Sequence, residues 1–109
     1  MSSLNLSEPI AAYFAADTLG PDSIAQCFTL PAVVRDDGHT HTGREAIRAW
    51  KAAADAKYTC TTDPFAMELV DGVHVVRAHV AGNFRGSPLD LKFAFRLERG
   101  LIATLEISV

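Results

Sequence analysis

Asp36 and Asp37 close the run Ala32-Val33-Val34-Arg35 and stand before Gly38 and the pair His39-Thr40-His41. Carboxylates and imidazoles this close together point to either proton transfer or metal binding. Strand alternation puts Val34 and Asp36 on one side and Asp37 on the other. Asp36 therefore shares the side of a residue apolar enough to face a core. A carboxylate at the mouth of an apolar cavity is partly desolvated, the condition under which carboxylates serve as general bases. The plainer alternative is a strand-end Asp that caps the Gly38 turn or pairs with Arg35, Arg44 or Arg48. Asp37, beside the turn, is expected in solvent.

Tyr13 is the second candidate. It shares a helical face with Ile10, Phe14 and Asp17 at i, i+3, i+4, i+7 spacing. Its hydroxyl either donates to a ligand oxygen or, as core tyrosines commonly do, reaches a backbone carbonyl or water. The histidines are weaker candidates. His39 and His41 supply two ligands where a zinc site needs three or four, and His74 and His79 fall on opposite faces of one strand. No metal site is predicted. Cys27 and Cys60 match no zinc or redox spacing and read as reduced, buried thiols. There is no nucleophile–His–acid arrangement, phosphate-binding loop or dinucleotide fingerprint, so any chemistry is expected to need no cofactor.

The elements that must position these groups follow from the periodicity. Ser7 is an N-cap candidate and Pro9 fits a first turn, so a helix opens there and ends at Gly20-Pro21. Asp22 or Ser23 starts a short second helix carrying Ile24, Cys27 and Phe28, which Pro31 closes. Residues 32–36 read as a strand and 38–43 as a loop. Thr42 with Glu45 forms a capping-box pattern for a third helix with Ala46, Ile47, Trp50 and Ala54 on its buried stripe. After Tyr58 the period changes from 3.6 to 2. Residues 58–63 and 65–70 read as two strands, Asp71-Gly72 as a hairpin turn, and 73–84 and 89–98 as long strands. Arg99-Gly100 then turns the chain into a last strand over 101–109.

Helices first and then four or five antiparallel strands is an α+β pattern, with three N-terminal helices packed on a curved sheet. Such a sheet makes a cone around one apolar cavity. Leu91, Phe93, Phe95 and Leu97 point inward, as do Leu101, Ala103, Leu105 and Ile107 and, on the strand before, Val76, Ala78 and Val80. Arg77 and His79 are left for the outer face, which is predicted to be a homodimer surface. Phe14, Phe28, Val34, Trp50, Tyr58, Phe93 and Leu105 are the residues expected to line the cavity.

With 109 residues the chain has material for one core and reads as a single domain over 1–109. A formal net charge of -3 with ten scattered basic residues excludes a nucleic-acid surface. A mean hydropathy of +0.12 with no run of about 18 apolar residues predicts no membrane span. The stretch MSSLNLSEP has neither the basic nor the apolar region of an export signal. A cytoplasmic location is expected.

The chain resembles the nuclear transport factor 2-like superfamily, in the SnoaL-like branch that holds polyketide cyclases and ketosteroid isomerases. The resemblance is carried by Ala12-Tyr13-Phe14-Ala15-Ala16-Asp17, by Ala32-Val33-Val34-Arg35-Asp36 and by Gly43-Arg44-Glu45-Ala46-Ile47-Arg48-Ala49-Trp50. It continues in Gly82-Asn83-Phe84-Arg85-Gly86-Ser87-Pro88 and Phe95-Arg96-Leu97. It implies the cone-shaped (cystatin-like) fold. It also implies that Asp36 stands where the isomerases keep their general base and Tyr13 where they keep an oxyanion-hole tyrosine. The third member departs, because Phe93 replaces the protonated aspartic acid. A missing oxyanion donor costs about 3–4 kcal/mol of transition-state stabilisation, so a steroid isomerase is not implied. What is implied is a domain binding a small hydrophobic molecule. It would be either a cofactor-free isomerase, cyclase or dehydratase working by acid–base chemistry on a carbonyl compound, or a non-catalytic binding or dimerising protein.

Overall fold

The computed structural model describes residues 4–109; the first three residues of the stretch read above for an export signal lie outside them. Helix α1 (Glu8–Ala16) opens with Pro9 in its first turn and Ser7 at the N-cap position. The Ser7 carbonyl accepts from the Ile10 and Ala11 amides at 3.0 and 2.9 Å. Its hydroxyl makes no capping bond and is buried without a partner among the described residues. Helix α2 (Pro21–Ala25) is one short turn, and it stops well before Pro31.

Strand β1 (Phe28–Asp36) instead runs through Pro31, which corrects the expected helix end. Proline is tolerated there because the ladder skips it. The pairing on one side shifts register between Phe28 and Val33, and on the other side begins only at Val33. No strand hydrogen bond is lost to the missing N–H. The expected loop after Asp36 is also a strand, β2 (His39–Thr42), paired antiparallel with β1. Asp37 and Gly38 turn the chain at φ 52° and 76°, the left-handed pair of a two-residue hairpin. Aspartate tolerates that region and glycine enters it freely.

Helix α3 (Arg44–Lys57) has Gly43, not Thr42, at its N-cap position, and no side-chain cap. Thr42 is committed to β2, and Glu45 pairs with Arg48 at 2.6 Å, so the capping box does not form. The helix start is tied to β1 instead, where Arg44 Nε donates to the Phe28 carbonyl at 2.8 Å. Four strands follow: β3 (Cys60–Val70), β4 (Val73–Gly82), β5 (Leu89–Glu98) and β6 (Leu101–Ser108). β3 is one strand where two were expected. The break at Pro64 survives as a register shift between Pro64 and Ala66.

The six strands form a curved sheet in the order β2-β1-β6-β5-β4-β3, antiparallel except for the parallel pair β1 and β6. The fold is therefore α+β as expected, but with more strands and one parallel pairing. Only α1 and α2 precede the sheet, since α3 follows the first hairpin. β5 keeps the expected alternation, with Phe93 and Phe95 buried. In β6 it breaks: Arg96 faces Thr104 while Leu97 faces Ile102. Ala103 is thus an extra residue that turns both Ile102 and Leu105 inward. Leu101 and Ala103 are half-buried rather than core.

Ile10 and Tyr13 of α1, Ile24 of α2 and Ile47 of α3 pack into one core with Val34, Val76, Phe93, Phe95, Ile102 and Leu105 of the sheet. Tyr13, Phe14, Phe93 and Phe95 meet edge-on at centroid distances of 5.2–5.9 Å, except for a tilted Tyr13–Phe93 pair at 6.3 Å and the stacked Phe93–Phe95 pair. Each such contact adds about 0.5–1.5 kcal/mol beyond area burial. Arg77 and His79 lie exposed on the opposite face. Among the described residues no helix is long and apolar enough to cross a membrane.

Candidate active-site cavity

Between α1, α3 and the inner face of the sheet lies a chamber of about 230 Å³. It opens toward a wider hollow of about 430 Å³ under the turn carrying Phe84 and Arg85. Asp36, Tyr58, Val80, Leu91 and Ile107 line both. A larger surface hollow of about 570 Å³ runs between α1, α2 and Gly100-Leu101. Its ionisable lining is limited to Glu8 and Cys27, so it lacks the converging polar groups that mark a binding site.

Asp36 reaches the chamber because β1 alternates: Ala32 and Val34 are buried on the same side, and the next residue in that phase falls at the strand end. Trp50 Nε1, on the buried side of α3, donates to Asp36 Oδ2 at 3.0 Å. The indole fixes one carboxylate oxygen and leaves the other without a partner among the described residues. None of Arg35, Arg44 and Arg48 takes it: Arg44 holds the Phe28 carbonyl, and Arg48 bridges to Asp22 and Glu45. Tyr13 is only 4% exposed, yet its hydroxyl has no hydrogen-bond partner among the described residues. Burial first, then the charges of Asp17, Asp36, Cys27 and Asp55, push the phenol well above its ordinary pKa. At neutral pH it is a fixed O–H donor.

Four ionisable groups in the lining, Asp17, Lys51, Asp55 and Cys60, were not singled out from the sequence as site residues. Lys51 of α3 projects into the wall of the chamber, where its Nζ donates to Asp17 at the end of α1 and to Asp55 at 2.9 Å. Burial alone would lower the ammonium's pKa, but the two carboxylates outweigh it and the net shift is upward. Lys51 therefore stays charged and is no amine nucleophile. A signal for it existed. Ile47, Trp50, Lys51 and Ala54 share i, i+3, i+4, i+7 spacing, and Asp55 lies one turn beyond Lys51. A lysine on an apolar stripe followed at i+4 by an aspartate reads as an internal pair. Neither cysteine is the buried thiol expected, since Cys27 is half-buried and Cys60 exposed at the edge strand. The Cys60 thiol, in the lining, is pushed up by partial desolvation and by Asp17 and Asp55, against Lys51, so it stays protonated.

Of the residues expected at the cavity, Tyr13, Phe14, Asp36, Trp50, Tyr58 and Phe93 come together in this lining. Phe28 and Val34 are fully buried in the core, and Leu105 is 1% exposed there; none of the three lines the chamber. They pack behind the wall, because the inner face of the sheet is deeper than one layer of side chains. His39 Nδ1 sits 3.0 Å from the Asp37 carbonyl, within the turn. His41 lies beside the Trp50 ring, with centroids 6.0 Å apart. Among the described residues no group of three or more His, Cys, Asp or Glu side chains converges on a metal position.

A carboxylate with one oxygen held and one free, an unpartnered phenol, and aromatic walls make a site for moving a proton beside a polarised oxygen. No protein-family model matches the sequence, and no curated protein does. Solved structures do. A candidate polyketide cyclase from Sinorhizobium meliloti is 35% identical over 99% of this chain and 100% of its own, with a TM-score of 0.92. A protein from Catenulispora acidiphila with a ketosteroid isomerase-like fold, solved in complex with trimethylamine, is 23% identical over 96% of this chain and 87% of its own, TM-score 0.85. A nuclear transport factor 2-like protein of unknown function from Cytophaga hutchinsonii is 12% identical over 98% of this chain and 91% of its own, TM-score 0.75. The latter two share the fold, whereas the first shares sequence along the full length. With the fold and that likeness together, the chain belongs to the nuclear transport factor 2-like superfamily and its SnoaL-like branch.

Proposed function

We propose that the chamber binds a small hydrophobic carbonyl compound and catalyses a cofactor-free proton transfer on it. The observation that carries this reading is the half-held carboxylate: Asp36 lines the cavity with Oδ2 on the Trp50 indole and its other oxygen without a hydrogen-bond partner among the described residues. That free oxygen takes the proton from the carbon next to the carbonyl. The C–H electron pair moves into the carbon–carbon bond, and the carbonyl π pair moves onto oxygen, where the Tyr13 hydroxyl donates to the enolate. Return of the proton from Asp36 to the far carbon of a conjugated enolate, with the oxygen pair re-forming the carbonyl, completes an isomerisation. In a cyclisation the enolate carbon attacks a second carbonyl of the ligand, whose π pair moves onto its oxygen and takes the proton back from Asp36. At about 230 Å³ the chamber is below the roughly 300–1,000 Å³ of sites for drug-sized ligands, so the enclosed portion of the ligand is small. The Sinorhizobium protein's assignment supports carbonyl chemistry, and the Catenulispora protein's trimethylamine supports a ligand on this scale.

Phe93, standing where the resemblance implies a second oxyanion donor, favours a second reading: the same chamber binding its ligand without chemistry. Under either reading we place the protein in the cytoplasm as a homodimer joined through the outer sheet face, where Phe65, beneath Arg77, and Val70 are 47% and 43% exposed. Analytical ultracentrifugation checks the dimer. Trp50 is the sole tryptophan and reports directly on the chamber. Titration with cyclic ketones and amino ketones is expected to change its emission saturably in the wild type, and not in Ala54→Leu, which fills the lining. An emission unaffected by every member of the panel would contradict the site.

A further inference from the structure

The chamber carries more negative charge than the proposed reaction alone requires. Asp17, Asp36 and Asp55 line it against a single cation, Lys51, a formal charge of −2. Lys51 is already committed to Asp17 and Asp55. Asp36 has no cationic partner among the described residues, its one hydrogen bond coming from the neutral indole of Trp50. The chamber that this carboxylate lines is also lined by the rings of Tyr13, Phe14, Trp50 and Phe93. Tyr13 lines the same chamber with its side chain 4% exposed, and its hydroxyl makes no hydrogen bond to the described residues.

An enolate formed here would develop its charge within the field of Asp17 and Asp55, which the single Lys51 only half offsets. A neutral ketone leaves the chamber at −2 throughout, because deprotonation only moves a charge from Asp36 to the ligand oxygen. A ligand bearing a positive nitrogen brings it to −1 before and after the transfer. It also places that nitrogen against aromatic faces, whose quadrupoles attract a cation. Weakly hydrated ammonium groups gain most, since little water is given up on entry.

We propose that the chamber selects a small organic cation, a carbonyl compound bearing a protonated or quaternised nitrogen, over its uncharged isostere. This rests on the reading of the chamber as the ligand site and names the class of substrate that site takes. The nitrogen sits among the rings, and the C–H bond next to the carbonyl faces the free oxygen of Asp36. A neutral polyketide fragment of the same size is the competing class.

The test separates charge from shape. Choline and 3,3-dimethylbutan-1-ol differ in one atom, a quaternary nitrogen against a quaternary carbon, and both dissolve in water. Isothermal titration with each is run on the wild-type protein and on Asp36→Asn, with circular dichroism confirming that the variant is folded. Choline is expected to bind the wild type about 10-fold or more tightly than the alcohol, and this ratio is expected to fall to about threefold or less in Asp36→Asn. Equal or tighter binding of the alcohol overturns the cation preference while leaving the chamber as a ligand site. A ratio unchanged by Asp36→Asn overturns it as well, by placing the choline elsewhere. Binding of neither probe overturns the preference and the ligand-site reading together.

Discussion

Asp36 and Tyr13 do different work because their surroundings differ. Asp36 is half-buried with one oxygen bonded to Trp50; Tyr13 is sealed in an aromatic cluster and keeps its proton. If the phenol is the donor to a developing enolate, Tyr13→Phe should lower kcat by about 10²-fold, as loss of one oxyanion donor does. KM should move little, and stability should change by less than about 1 kcal/mol, because no protein hydrogen bond is lost. Steady-state kinetics with thermal denaturation checks both; an unchanged kcat would remove Tyr13 from the reaction. The inward placement of these two residues was legible from strand and helix phase, while their proposed roles came from the resemblance, since phase alone does not separate a functional Asp or Tyr from a strand-end cap or a core tyrosine. Lys51 was less legible. Its charge marks it as a surface residue; the stripe and Asp55 at i+4 hinted at burial, but its other partner, Asp17, lies 34 positions away in sequence.

At the scale of elements, the Asp17–Lys51–Asp55 group joins the end of α1 to the middle of α3 across the chamber wall. Lys51 is 11% exposed at its side chain and Asp17 is 23% exposed. Lys51→Met keeps the aliphatic stem but leaves two carboxylates facing each other. The expected loss is about 3 kcal/mol, as when one partner is removed from a buried pair, with Tm falling by roughly 10 °C or more. A change below about 0.5 kcal/mol in urea denaturation would show that the two helices are held by packing alone. The hairpin turns at Asp71-Gly72 and Arg99-Gly100 were legible from their residue types and their flanking apolar alternation. The same chemistry at Asp37-Gly38 was missed as a hairpin because β2 reads His-Thr-His-Thr, four residues with no apolar side to signal a strand. Pro31 misled in the other direction: proline ends a helix locally, and only the register shift of β1 against β6 shows that a strand can pass through it.

At the scale of the whole molecule, the α+β class and the apolar inner face followed from periodicity, whereas the parallel β1–β6 pairing did not. It joins strands at opposite ends of the chain, and nothing local encodes it. The burial that defines the chamber also sets an alkaline limit. Tyr13 titrates at about 10 when unfolded and well above that when folded. Lys51 is likewise raised from about 10.5. Above these values the unfolded chain has lost protons that the folded chain retains, so stability falls as pH rises. Urea denaturation is expected to show a decline beginning near pH 10, made shallower by Tyr13→Phe; a flat profile to pH 11 would contradict the burial of both groups. The account as a whole stands on the free oxygen of Asp36 acting as a base. The direct measurement is deuterium incorporation from D2O next to the carbonyl of a ketone that perturbs Trp50 emission, followed by NMR. The wild type should accelerate the exchange by about 10² or more over buffer, and Asp36→Asn, folded and still binding the ketone, should reduce it to the buffer rate. Equal exchange by wild type and Asp36→Asn would contradict it.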